Sequence, residues 1–86
     1  MEYRISRHAK QEIERRNIPV DIVDGILVSP DQIVEEYDNK KAYQSIIQME
    51  DGKSYLVRVI VNNTIEPAVV VTVYRTSKIS KYWREP

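Results

Sequence analysis

An α+β fold is predicted, with a short N-terminal strand and two helices preceding a four-stranded antiparallel meander. Three observations carry that expectation. Apolar residues recur at helical spacing before Pro30, they follow strand spacing after it, and turn-forming pairs punctuate the second half. Helices followed by a run of strands give helices packed on one face of a twisted sheet. The other face is expected to be at least partly open, as antiparallel sheets allow.

Tyr3 to Ile5 is the short extended segment. Ser6 is placed to cap a helix over Arg7–Arg16, because its hydroxyl can accept from a backbone N–H one turn in. Ala9 and Ile13 form that helix's inner side. Asn17 suits a left-handed C-terminal position. Pro19 suits a first helical position, where its missing N–H costs nothing. A second helix runs to about Val28, with Ile22, Val23, Ile26 and Leu27 inward, and Ser29-Pro30 stops it.

Gln32–Tyr37 then reads as a strand, Asp38-Asn39-Lys40 as a turn, and Ala42–Met49 as the next strand. Asp51-Gly52 is a strong hairpin signal. Ser54–Val61 places Tyr55, Val57, Val59 and Val61 on one face, and Leu56, Arg58 and Ile60 on the other. Asn62-Asn63-Thr64 turns into Ala68–Arg75, whose Val69, Val71 and Val73 are expected in the core. Pro67 fits the entrance of that strand. Ser77 can cap a short final turn that ends at Trp83, and Tyr82 and Trp83 are expected to close the core.

The 86 residues are expected to form one domain, 1–86. The absence of cysteine excludes disulfides, thiolate metal sites and a cysteine nucleophile. A single histidine makes a zinc site unpromising, and with Gly25 and Gly52 as the only glycines there is no phosphate-cradling loop. No metal or cofactor is expected. The apolar stretches fall far short of the ~20 residues of a spanning helix, and no secretory leader opens the chain, so the expected address is the cytoplasm, with no membrane partner.

Thirteen Lys and Arg balance thirteen Asp and Glu, but unevenly. Arg4, Arg7, Lys10, Arg15 and Arg16 crowd the start, and Arg75, Lys78, Lys81 and Arg84 the end. Residues 20–38 hold Asp21, Asp24, Asp31, Glu35, Glu36 and Asp38 with no basic residue. If the ends meet, they make a cationic face suited to a polyanion.

Several side chains then become candidates. His8, Glu12 and Arg16 follow one another at single-turn spacing, and histidine is the residue type whose unperturbed value lies near neutrality. The competing reading is a solvated helix face. Arg58 interrupts an apolar strand, so it needs a carboxylate such as Glu35 or Glu36, or it faces a groove open to phosphate. Tyr74, Arg75, Lys78 and Lys81 offer cations and rings to a nucleic acid.

The opening YRISRHAKQEIERRNIP, through Ser6, His8, Ala9, Arg16 and Ile18, resembles a widespread bacterial domain family of unknown function. The Ser29-Pro30-Asp31 break and the closing Val71-Thr72-Val73-Tyr74-Arg75 with Lys78, Lys81 and Tyr82 extend the likeness over nearly the whole chain. That family is regarded as a distant cousin of the RelE and BrnT toxins. The resemblance implies a RelE-like fold, a metal-independent endoribonuclease acting on RNA such as ribosome-associated mRNA, and a cognate antitoxin. Many relatives carry a second arginine one turn after the histidine, where this chain has Glu12.

On this reading His8, Tyr74 and Arg75 are the catalytic set, with His8 as base or acid and Tyr74 as a second acid. Arg16, Arg58, Lys78 and Lys81 hold the phosphates. The first helix is expected beside the last strand, so that the two basic ends form one groove. Two other readings share the sequence. One is a non-catalytic RNA- or ribosome-binding module. The other is a protein-interaction domain or homodimer that pairs through strand edges or through Tyr82 and Trp83.

Overall fold

The computed structural model describes residues 2–85. It is an α+β fold: β1 (Tyr3–Ile5), α1 (Arg7–Arg15), α2 (Val20–Val28), β2 (Gln32–Glu35), β3 (Lys40–Gln48), β4 (Ser54–Asn62), β5 (Ala68–Thr76) and α3 (Ile79–Tyr82). One sheet of five strands runs in the order β1-β5-β4-β3-β2. β2 to β5 form the antiparallel meander, and β1 joins it in parallel beside β5.

The turns follow the chemistry of their residues. Asp38 and Asn39 both take positive φ, 57° and 59°, the conformation that a tight hairpin turn demands and that short polar side chains tolerate. Gly52, at φ 80°, closes the β3–β4 loop, with Met49 N–H donating to Lys53 O at 2.9 Å. Asn17 leaves α1 at φ 52°. Pro19 stands one place earlier than expected, as the N-cap of α2 rather than its first helical residue.

Ala9, Ile13, Ile18, Val23, Ile26 and Leu27 pack onto Tyr43, Val57, Val59, Val61, Ala68, Val70 and Val73. This is the main core, between the helices and one sheet face. The three valines of β4 contribute alternately, as their period of two requires.

The far face is covered at its middle and open toward one end, where Ile46, Gln48 and Ser54 are exposed. α3 and the residues after it lie against it, through Tyr82 on Arg58 and Gln44 and through Arg84 on Gln32. Tyr82 and Trp83 are half-buried and outside the main core.

β5 contains an irregularity that its run of valines conceals. Ile60 pairs with Thr72 but Val61 with Val70, so Val71 is an extra residue with no partner across β4. The bulge turns Val70 and Val73 to the same core, while Val71 is only half-buried. Strict alternation would instead have sent Val69, Val71 and Val73 inward together.

The bulge also anchors α1. Ser6 caps the helix, accepting from Ala9 N–H at 3.0 Å. Its hydroxyl donates to the carbonyl of Val71 at 3.1 Å, and its N–H donates to Val70 O at 3.1 Å. α1 packs on β5 from that point. β1 pairs only with Ala68–Val70, so the rest of β5 forms the sheet edge beside α1.

Candidate functional site

Register builds the site. Gln32 pairs with Gln44, Gln44 with Arg58, and Arg58 with Tyr74. Four polar side chains therefore form one rung across β2, β3, β4 and β5, on the face away from α1 and α2. Gln44 is fully buried, and Arg58 is 2% exposed.

Such groups are buried only when they are satisfied. Arg58 Nε donates to Gln44 Oε1 at 2.8 Å, and Gln44 Nε2 passes the chain on to Gln32 Oε1 at 2.9 Å. Arg58 Nη1 donates to Glu36 Oε1 at 3.3 Å and to the Tyr74 hydroxyl at 2.5 Å. Glu36 is the carboxylate partner; Glu35 pairs instead with Lys41. Nη2 of Arg58 donates to no described residue.

Tyr74 lies between two guanidiniums. Arg58 is 5.7 Å from its ring centroid, and Arg16, arriving from the end of α1, is 6.0 Å away. Glu12 holds Arg16 at 3.1 Å and Arg15 at 2.7 Å. The hydrogen bond from Arg15, with the one from Arg16, brings the Glu12 carboxyl down to about 2. Glu12 is thus the anion that positions Arg16.

Burial pushes the Tyr74 phenol above its ordinary value, and the hydrogen bond from Arg58 only partly offsets it. The phenol keeps its proton at neutral pH. Its oxygen accepts from Arg58, while its own O–H donates to no described residue. This leaves a proton donor beside a guanidinium and a carboxylate.

Of the expected site residues, the structure gathers Arg16, Arg58 and Tyr74. His8 is exposed on the first turn of α1, and its side chain makes no hydrogen bond, ion pair or ring contact among the described residues. Arg75, next to Tyr74, points to the opposite sheet face and lies 4.9 Å from the Tyr55 ring centroid. Lys78 is exposed, and its hydrogen bonds are backbone ones, N–H to Thr76 Oγ1 and carbonyl from Lys81 N–H. Lys81 lies 5.2 Å from the Tyr82 ring centroid.

Gln32, Gln44 and Tyr82 complete the cluster and were not singled out as site residues. Gln44 was within reach of the sequence. Pairing Met49 with Lys53 around Asp51-Gly52 puts Gln44 opposite Arg58. Among the described residues no group of three or more His, Asp and Glu side chains is gathered to hold a metal ion. No described helix is long and apolar enough to cross a membrane.

The family described as a domain of unknown function (DUF4258) matches residues 5–75, and the chain belongs to it. That span takes in Arg16, Glu36, Gln44, Arg58 and Tyr74 and stops before α3. No curated protein and no solved structure matches the chain.

Proposed function

We propose that the protein is a metal-independent endoribonuclease of the RelE and BrnT toxin kind, with its reacting groups at Glu36, Arg58 and Tyr74. One observation carries this reading: a carboxylate and a phenol meet the same guanidinium nitrogen, Nη1 of Arg58. RNA cleavage without a metal needs a base, a cation and an acid around one phosphate, all within hydrogen-bond range.

Glu36 takes the proton of a ribose 2′-hydroxyl, whose oxygen forms a bond to the neighbouring phosphorus. Arg58 and Arg16 stabilise the charge that builds on the phosphoryl oxygens. The bond to the 5′-oxygen breaks, and Tyr74 gives its proton to that leaving group. The products are a 2′,3′-cyclic phosphate and a free 5′-hydroxyl. His8 is outside this scheme. RNA, including ribosome-associated mRNA, is the proposed substrate, and a tight-binding antitoxin is the partner that goes with it.

A second reading, non-catalytic RNA binding, draws on the same Glu36–Arg58 pair, because a carboxylate engaged by arginine serves equally well to hold that cation in place. Induced expression in a bacterial host separates the two. Wild type is expected to arrest growth and fragment RNA, and Tyr74→Phe to do neither. Unimpaired growth and intact RNA with the wild-type chain would remove the catalytic reading.

A further inference from the structure

The deepest cation of the site is covered by the chain itself. The Tyr82 ring lies over the Arg58 guanidinium, with 4.4 Å from Cζ to the ring centroid. It meets the Tyr74 ring edge-on, at 6.3 Å and 71°. The segment carrying it is held to the rung through its backbone. Gln44 Nε2 donates to Tyr82 O at 3.2 Å, Arg84 N–H donates to Gln32 Oε1 at 3.1 Å, and Gln32 Nε2 bonds to Arg84 O.

Little else fixes this segment. α3 has four residues, none of them fully buried and only Ile79 and Tyr82 half-buried, and no side-chain cap at its start. Exposed Ser77 and Lys78 connect it to β5. Segments with few buried apolar contacts open at the low end of a protein's range of local stabilities. The segment also lies wholly beyond residues 5–75, the span shared with the family.

We propose that residues 79–85 are a displaceable cover that occupies the anion seat at Arg58. A planar ring on a guanidinium is the contact that a nucleobase makes with arginine. The two glutamine side chains that hold the segment's backbone are a donor and an acceptor of the kind that a base edge requires. On the endoribonuclease reading, a nucleotide of the RNA takes the place of Tyr82, and the cover competes with substrate. Nη2 of Arg58, the guanidinium nitrogen with no described protein acceptor, is the donor left for the incoming nucleotide.

The test labels arginines in the full chain with phenylglyoxal and follows the Arg58 peptide by mass spectrometry, for wild type, Tyr82→Ala and Gln32→Ala. Tyr82→Ala removes the ring, and Gln32→Ala releases the backbone while keeping it. The cover predicts Arg58 labelling faster by about three- to thirtyfold in both variants, the range for a partly desolvated ring–cation contact, with Arg75 labelling unchanged as an internal control. Arg58 labelling unchanged in both would overturn the cover, and so would equal acceleration at Arg75, which signals general loosening.

Binding of a short labelled RNA to the same proteins tests the separate claim about substrate. Faster Arg58 labelling with tighter RNA binding supports both. Faster labelling without RNA binding in any of the three proteins keeps the cover and removes the endoribonuclease reading.

Discussion

Arg58 and Tyr74 stand directly opposite one another on β4 and β5, and the guanidinium of the first donates to the phenol oxygen of the second. The pair links stability to chemistry, because the bond that satisfies a buried cation also orients the proposed acid. Tyr74→Phe keeps the ring and removes the hydroxyl. A hydrogen bond to a charged group contributes about 1.5–3 kcal/mol, so urea unfolding is expected to show a loss of that order. RNA cleavage is expected to fall by roughly 10²–10⁴, the usual contribution of a positioned acid or base.

Arg58→Ala acts on the same network from its centre. It strips Glu36 of its cation and leaves buried Gln44 without a donor to its Oε1. Breaking a buried pair costs about 3–5 kcal/mol, and the lower end applies because Glu36 retains some access to water. Arg58→Lys is not expected to restore stability, since an ammonium cannot reach Gln44, Glu36 and Tyr74 with the fixed fork of a guanidinium. Urea midpoints of the two variants check this.

Ser6→Ala tests the tie between α1 and the bulge. The substitution removes the helix cap and the hydrogen bond to Val71 O together. A cap and one further hydrogen bond predict a loss of about 1–2 kcal/mol. Ser6→Thr should recover most of it. Thermal unfolding by circular dichroism is the measurement.

Two groups predict how stability depends on pH. Glu12 is lowered from 4.5 to about 2 by Arg15 and Arg16, so its contribution is complete above pH 4.5 and is lost as pH falls toward 2. Tyr3 is raised from 10.0 to about 12, first by its hydrogen bond to Asp24, so its contribution is complete below pH 10 and is lost as pH rises toward 12. Glu12→Gln should flatten the acid limb and Tyr3→Phe the alkaline limb, read as melting temperature against pH.

Much of this architecture was legible in local chemistry. Ser6, Asn17, Asp38-Asn39 and Gly52 each mark a cap or turn that only a few residue types can make, and they lie where the chain requires them. Arg58 announced itself as a charge in an apolar strand that needs either a carboxylate, Glu35 or Glu36, or an open groove, and Glu36 is the partner it finds. The Val71 bulge left no trace, because a run of valines reads alike in any register. Nor did β1 reveal its neighbour, since Tyr3–Ile5 pairs with only three residues of a strand more than sixty positions away. The alternation of the last strand puts Tyr74 and Arg75 on opposite faces, and the structure separates them, so they do not act as one catalytic pair. His8 drew notice by its titration range, a property of the residue type that says nothing of its neighbours.

The most direct measurement is cleavage of a defined RNA in chelator-containing buffer by wild type, Glu36→Gln, Tyr74→Phe and His8→Ala, each first shown to be folded. The account predicts cleavage by wild type and His8→Ala to a 2′,3′-cyclic phosphate, and loss of about 10²-fold or more in the other two. Loss in His8→Ala with retention in Glu36→Gln and Tyr74→Phe would contradict it.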